Sequence, residues 1–327
     1  MSESPLVSII LPVYNAEATL ESSLRSACSQ ENVNLELICI NDGSSDSSAA
    51  ILDAWAARDP RIRVIHQANA GVAAARNSGL DALHGDYFTL LDADDHIAPG
   101  YLAPLLQTAR EQHADAVITG WMRLSGGSET PHRITDAVST LDSSATAIAA
   151  LPPAAWGRLY STGLLRRCGA RYPVGVRYGE DMAFNFAMNA AAQRIICHPS
   201  VGYHYLDNPA SASNNSVGEK VTDMTTALAA LADAYTAQGM DTLRLELLTH
   251  YASQAMRRIR SMAPHRCQHD CARRVSAILS QAGVQEAHLS TLRSKDARTL
   301  RSILRGGDGL GPGYYWRRLT RFLRGKA

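Results

Sequence analysis

Between residues 6 and 120, short apolar runs and helical stretches take turns, and that alternation leaves few folds open. Residues 6–13 and 35–41 are apolar runs of strand length bounded by turn residues. Residues 61–66, 87–91 and 116–120 are three further strand candidates. Between them lie residues 17–29, 46–58, 72–83 and 101–112, which read as helices. In the second of these, Ile51, Leu52 and Trp55 recur at helical spacing, and Asp46 is the expected N-cap. A strand–helix repeat of this kind predicts an α/β fold, a mostly parallel sheet with helices on both faces. Such sheets bind ligands beyond the carboxyl ends of their strands. Tyr14 and Asn15, then Asp42, then Asp92 to Asp95 all stand at such ends.

The last group is the most telling. Leu90-Leu91-Asp92-Ala93-Asp94-Asp95 puts three carboxylates at the exit of a strand. Hard divalent cations such as Mg²⁺ or Mn²⁺ prefer oxygen ligands, and Mg²⁺ takes one or two carboxylates beside phosphate oxygens. Asp92 and Asp94 are two apart, so a short turn can aim both at one site. Acidic turns are also common without a metal, so the pattern needs company.

Composition narrows the class. The chain has 327 residues, 46% of them hydrophobic, enough for one large or two modest domains. No apolar run approaches the ~20 residues that span a bilayer. The first residues lack the basic start and apolar stretch of a signal peptide, so a cytoplasmic location is expected. The six cysteines form no disulfide-like framework. His265-x-Cys267-x-His269-x-Cys271 lacks a further ligand pair at zinc spacing and reads as ordinary helix positions. The formal net charge of +1 hides an asymmetry: residues 1–219 carry −9 and residues 220–327 carry +10. The arginines at 257, 258, 260, 273 and 274 invite a nucleic-acid reading. No nucleic-acid motif accompanies them, and no nucleic-acid partner is expected.

Further along, residues 125–145 are polar and irregular, residues 154–205 are mixed, and residues 180–192 look helical. Residues 220–262 and 268–305 are helical. A glycine-rich break at 306–313 precedes a basic, aromatic end. The expected organisation is a catalytic part (1–219, divided into 1–120 and 121–219), a helical region (220–305) and a hinge with a terminal segment (306–327). If helical, residues 314–324 place Tyr315, Trp316, Leu319, Phe322 and Leu323 opposite Arg317, Arg318, Arg321 and Arg324. That pattern suits peripheral contact with an anionic membrane surface, or a helix docked on the body of the protein.

Several stretches together resemble one family. Residues 7–15 read Val-Ser-Ile-Ile-Leu-Pro-Val-Tyr-Asn and residues 41–46 read Asn-Asp-Gly-Ser-Ser-Asp. Residues 69–79 read Asn-Ala-Gly-Val-Ala-Ala-Ala-Arg-Asn-Ser-Gly, ahead of Asp92-Ala93-Asp94-Asp95. Trp156-Gly157-Arg158-Leu159-Tyr160 and Tyr178-Gly179-Glu180-Asp181-Met182-Ala183-Phe184 follow. Order and spacing resemble the family 2 glycosyltransferases of GT-A fold, over about residues 5–215. More narrowly they resemble the bacterial enzymes of capsule, lipopolysaccharide and exopolysaccharide synthesis. The resemblance implies a Rossmann-like nucleotide-binding sheet, a UDP-sugar donor, Mn²⁺ or Mg²⁺, and transfer with inversion to a glycan or lipid-linked acceptor. Work at the inner face of the cytoplasmic membrane would follow.

It also implies roles. Pro12 and Tyr14, with Asn15, would shape the base pocket, and Asp42 would accept the base N–H. Arg76, Asp92 and Ala93 would meet the donor, with Asp92 near the ribose. Asp94 would hold the metal, with His204 as a further ligand. Asp181 would be the general base, with Glu180 beside it. Trp156 would meet the acceptor, and Asp95 would either orient the turn or touch the sugar. Each position has a plainer structural alternative. Asp42 suits a turn cap, Pro12 a strand end, and Arg76 an exposed helix face. Trp156 and His204 suit the core, and Glu180-Asp181 an acid-rich first helical turn. Two positions depart from the family: Arg158 stands where lysine is usual, and Leu206 where arginine is frequent.

Two other readings are weighed. A nucleotidyltransferase would want basic residues after the first strand, and no Lys or Arg precedes Arg25. No Gly-x-x-x-x-Gly-Lys-Ser/Thr loop occurs either. A non-catalytic scaffold of a polysaccharide assembly complex would have lost the acids, whereas Asp42, Asp92, Asp94 and Asp181 are all present.

Overall fold

A computed structural model describes residues 4–207, 217–262 and 265–306. The alternating region folds as β1 (Leu6–Val13), α1 (Leu20–Cys28), β2 (Asn34–Asp42), α2 (Ser48–Ala56), β3 (Ile62–Gln67), α3 (Val72–Ala82) and β4 (Tyr87–Leu90). The chain continues through β5 (His96–Ile97), α4 (Leu102–Glu111), β6 (Ala116–Thr119), β7 (Trp121–Ser125), β8 (Ser128–His132) and β9 (Ser139–Thr140). Next come α5 (Ala145–Ala150), β10 (Arg158–Ser161), α6 (Thr162–Cys168), α7 (Glu180–Ala191), β11 (Ile195–His198) and β12 (Tyr203–Leu206). The remaining helices are α8 (Val217–Gln238), α9 (Thr242–Met262), α10 (His265–Gln281) and α11 (Ser294–Leu304).

Among the described residues, eight strands form one sheet in the order β3-β2-β1-β4-β10-β6-β11-β9. β3, β2, β1 and β4 are mutually parallel, as are β6 and β11. β10 runs antiparallel between β4 and β6, and β9 antiparallel beside β11. A smaller sheet has the order β5-β12-β7-β8. The mostly parallel α/β architecture expected from the alternation is therefore present.

β1 is central because both its faces are covered. Val7, Ile9, Leu11 and Val13 join one core cluster with Leu24 of α1 and Leu105 of α4. On the other face Ile10 meets α3 at Gly79, where a Cβ would run into Ile10 and Ile40. A mid-helix glycine costs about 1 kcal/mol relative to alanine, and here it lets helix and sheet approach. β1 and β2 run in register from Leu6↔Asn34 to Val13↔Asn41. That register sets the loop after β1 beside Asp42. Pro12 lies beyond the last β1–β4 pair, Ile10↔Leu90, where β4 has already turned away.

Three expectations needed correction. Asp46 is not the N-cap: α2 begins at Ser48 with Ser47 in the cap position. Asp46 instead accepts the Ser48 N–H at 3.0 Å and, with its other oxygen, the Glu17 N–H at 3.0 Å. It thus ties the loop after β1 to the start of α2. Residues 125–145 are not wholly irregular. β7 and β8 form a hairpin paired from Trp121↔His132 to Ser125↔Ser128. Gly126 and Gly127 take φ of +57° and +80°, as a two-residue turn matched to strand twist requires. Finally, the helical stretch 220–262 is broken at Gly239, φ +89°.

The molecule divides into two compact units, residues 1–143 with 151–215, and residues 144–150 with 216–327. In the second, α5 lies against α9, with Gln254 Nε2 donating to the Ala149 carbonyl at 3.1 Å. Its core includes Leu248, Tyr251, Ile259, Leu279 and Leu300, all buried. His265 to Cys271 are helical, and no cluster of three metal-ligating side chains occurs among the described residues. Among these residues no helix is long and apolar enough to cross a membrane. The terminal segment 314–324, expected to meet a membrane surface, lies outside the described residues.

Candidate active site

The carboxyl ends of β1, β2 and β4 converge on one edge of the sheet. Asn15, in the left-handed region at φ +48°, knits two loops there. Its N–H donates to Ser44 Oγ at 3.1 Å, and its Oδ1 accepts the Ser45 N–H at 2.8 Å. Next to it, Tyr14 leaves 54% of its surface exposed, a large share for an aromatic. Asn15 is thus committed to loop structure, while Tyr14 offers a free ring.

Asp42 ends β2 and is buried. Its Oδ1 accepts Gln67 Nε2 at 2.7 Å and the Ala70 N–H at 2.9 Å, and its Oδ2 accepts the Gly71 N–H at 2.9 Å. Gly71 precedes α3 at φ +87°. Asp42 therefore holds the approach to α3 with two main-chain donors and Gln67 of β3 with a third, and the three repay the cost of burying a carboxylate. A carboxylate pair has about four acceptor sites, so one remains for a further N–H.

α3 carries Arg76, and here the expectation shifts. Arg76 is only 4% exposed. One terminal nitrogen bonds Glu180 Oε1 at 3.1 Å and Asp181 Oδ1; the other bonds Asp92 Oδ1 at 3.0 Å. Its guanidinium also lies 5.3 Å from the centre of the Tyr172 ring. The arginine expected to meet the donor joins three carboxylates, from β4's end and α7's first turn. One positive charge cannot balance three negative ones. Burial raises the Asp181 carboxyl well above its ordinary range; Arg76 pulls it down, and Glu180 and Asp92 push it further up. Even so, Asp181 keeps about a quarter of its side chain accessible, at 28%.

The turn after β4 separates its three acids. Asp92 is held by Arg76. Asp94 makes no hydrogen bond or ion pair to another described residue, and burial, with Asp92 nearby, raises its carboxyl above the usual range. Ala93 is buried, and its carbonyl accepts Thr19 Oγ1 at 2.8 Å and Ser23 Oγ at 3.0 Å. Asp95 corrects the expectation of a sugar contact. It is 2% exposed, with Oδ2 accepting the Tyr203 hydroxyl at 2.7 Å and Oδ1 the Leu206 N–H at 2.8 Å. Both oxygens are turned into the protein, leaving no face for a sugar. Burial and then Asp92 push its carboxyl up to about 8 against those two bonds. Asp95 is a joint between the acidic turn and β12.

β12 also carries His204, paired in register with His96 of β5. The two rings share a hydrogen bond of 3.0 Å between His204 Nδ1 and His96 Nε2. Burial lowers both histidines below their ordinary value. One ring nitrogen of His204 is therefore taken by His96. Trp156, expected as an acceptor platform, stacks on Tyr203 at 4.6 Å and 8°. Tyr203 accepts the Asp92 N–H at 3.3 Å, so a single residue links Trp156 to the acidic turn.

Sequence reading missed Tyr172, Tyr203 and Gln67. Asn77 holds the Tyr172 backbone on both sides, at 2.8 and 2.9 Å, and Ser78 orients Gln67 at 2.6 Å. Asn77 and Ser78 lie in the quoted Arg-Asn-Ser-Gly stretch, the one local signal that pointed to these partners.

Residues 8–168 match the family model described as Glycosyl transferase family 2. The chain is 33% identical over 215 residues to the uncharacterised glycosyltransferase EpsJ of Bacillus subtilis, covering 63% of this chain and 62% of EpsJ. It is 31% identical over 205 residues to the glycosyltransferase GlyA of Streptococcus pneumoniae, covering 58% of this chain and 29% of GlyA. The chain thus spans less than two thirds of these relatives. Among solved structures, S. aureus TarS 1–349 in complex with UDP-GlcNAc aligns with a TM-score of 0.74 at 19% identity, over 92% of this chain and 88% of that one. The mannosyltransferase PcManGT of Pyrobaculum calidifontis, in complex with GDP-Man and Mn²⁺, aligns with a TM-score of 0.56 at 16% identity, over 93% and 86%. The fold is GT-A.

Proposed function

Residues 8–168 belong to glycosyl transferase family 2, and from that premise we propose the reaction. The chain transfers a sugar, with inversion, from a UDP-sugar to a hydroxyl of a glycan or lipid-linked glycan in bacterial surface polysaccharide synthesis. The observation that carries this reading is the Arg76 hub. It holds the first turn of α7, with Asp181, against the turn after β4, with Asp92. A base and a donor-binding turn thereby face one site.

In one in-line step the acceptor oxygen attacks the anomeric carbon. The bond from that carbon to the diphosphate oxygen breaks on the opposite side, and the acceptor proton passes to Asp181. Asp42 keeps an acceptor site for a base N–H, and Tyr14 an exposed ring beside it. Asp94 is suited to Mn²⁺ or Mg²⁺: a hard oxygen ligand with no hydrogen-bond or ion-pair partner among the described residues, whose raised carboxyl marks a place where a cation would be welcome. When bound, such an ion would supply positive charge against the diphosphate leaving group.

A thermal-shift panel of UDP-, GDP- and dTDP-sugars tests the donor. Ligand at 100 times its Kd stabilises by about 2.7 kcal/mol, so the UDP-sugar should give the largest shift with Mn²⁺ present. EDTA should remove most of it. An equal shift in EDTA would refute the metal role, and no shift with any nucleotide sugar would refute the function.

A pH profile tests the base. Turnover should decline on the acid side with an apparent pKa above the ordinary carboxylate range, because Asp181 must lose its proton to act. An acid limb at the usual carboxylate value would argue against Asp181 as the titrating group.

A further inference from the structure

Resting on the glycosyl-transfer reading, we infer that the groove between β7, β8, β12 and residues 152–156 is a glycan subsite that seats an inner sugar of an oligosaccharide acceptor. The groove has a volume of about 290 Å³, and Trp121, Arg123, His132, Trp156 and Tyr205 line it. Trp121 and Trp156 meet edge to face, with centres 5.5 Å apart and planes at 65°, and form a corner. Each indole is fixed by stacking, Trp121 on His132 at 4.7 Å and 10°, Trp156 on Tyr203 at 4.6 Å and 8°. Ring planes held this way lose little freedom when a ligand arrives.

The wall of the groove is built from inside. Arg158 is 1% exposed, yet among the described residues it forms no ion pair. Its Nε donates to the Ala154 carbonyl at 3.0 Å, and one terminal nitrogen bonds the Pro152 carbonyl. Asn185 of α7 adds bonds to the Pro153 and Ala154 carbonyls at 2.9 and 2.8 Å. A buried charge is costly unless hydrogen-bonded, and here two bonds go to the main chain of one loop and a longer one, 3.5 Å, to the Tyr160 hydroxyl. The same helix carries Asp181 in its first turn. Groove wall and proposed base therefore share a support.

The chemistry of the lining selects a sugar. A pyranose has an apolar face of C–H groups and a rim of hydroxyls. The aromatic corner suits the face. At the rim, Arg123 pairs with Asp207 at 2.6 Å, which sets donors and acceptors side by side for hydroxyls. A lipid tail could use none of those donors and acceptors. Position completes the case, since Trp156 stacks on Tyr203, which accepts the Asp92 N–H of the acidic turn.

Calorimetric titration of the full chain with cellotriose, maltotriose and chitotriose tests the subsite. At least one should bind, and more tightly than its monosaccharide. Trp121→Ala should weaken that binding about tenfold or more, as loss of a buried tryptophan anchor does. Trp121→Phe, which keeps an aromatic face, should restore much of it and guards against a folding artefact. UDP binding with Mn²⁺ should be unchanged in both variants. Binding of none of the three by the native chain, or equal binding by Trp121→Ala, overturns the subsite. If the native chain binds a trisaccharide through Trp121 but no nucleotide sugar, the subsite stands and the transfer reading falls.

Discussion

Asp181→Asn is expected to lower turnover by about 10²–10⁴-fold, the usual effect of losing a general base, while UDP binding stays within twofold of the native value. The amide is nearly the size of the carboxylate, and its oxygen can still accept from Arg76, so the hub should hold. What it cannot do is take a proton. Steady-state kinetics beside UDP calorimetry separates the two effects. Glu180→Gln is the necessary comparison, because Glu180 bonds the same nitrogen of Arg76 at 3.1 Å. It is buried, whereas Asp181 keeps part of its side chain accessible, a difference that supports the proposal of Asp181 as the base. Near-normal turnover in Asp181→Asn with loss in Glu180→Gln would reverse the assignment.

Arg76→Met should destabilise the first unit by about 3–5 kcal/mol, the range for removing one partner of a buried ion pair. Three carboxylates would then face one another without their cation. The pH dependence carries a definite sign. Without Arg76 the Asp181 carboxyl, already raised by burial, loses the charge that pulls it down, so the folded variant binds more protons than the unfolded chain across the raised range. Its stability must therefore fall as pH rises through that range, and the deficit against the native chain should be larger at pH 8 than at pH 5. Urea denaturation at both values reads this directly. Arg76→Lys should recover only part, because one ammonium cannot present two separate nitrogens to Asp92 and to the α7 acids. A deficit below about 1 kcal/mol, the range of surface pairs, would show the hub to be incidental.

What the sequence revealed follows a physical divide. Strands buried on both faces advertise themselves, because Leu6–Val13 and its neighbours must be largely apolar. The acids at strand ends were legible for the same reason, since a polar group there breaks an apolar run. Between orienting the turn and touching a sugar, local sequence could not choose for Asp95, because its partners Tyr203 and Leu206 lie more than a hundred residues away. Arg76 reads as one polar residue among alanines, and its partners lie on elements that local spacing cannot bring together. The β7–β8 hairpin escaped because Ser128–His132 is largely exposed and polar, so it lacks the apolar signature of a strand. The Gly126-Gly127 pair between its arms was the cue.

The place of β10 in the large sheet bears on how the chain is made. β4 ends at Leu90, but the strand that covers its outer edge spans Arg158–Ser161, pairing Tyr160 with Phe88. During synthesis at about 5–20 residues per second, the four parallel strands β3, β2, β1 and β4 can assemble while that edge waits roughly several seconds for its partner. An open strand edge is a template for wrong pairing. β6, already emerged, is the nearest competitor for it, and in the finished sheet β10 lies between the two. Late arrival of a strand in the middle of a sheet makes the contact order high and folding slow. Nascent chains paused before residue 158 should therefore be the most aggregation-prone lengths of this protein.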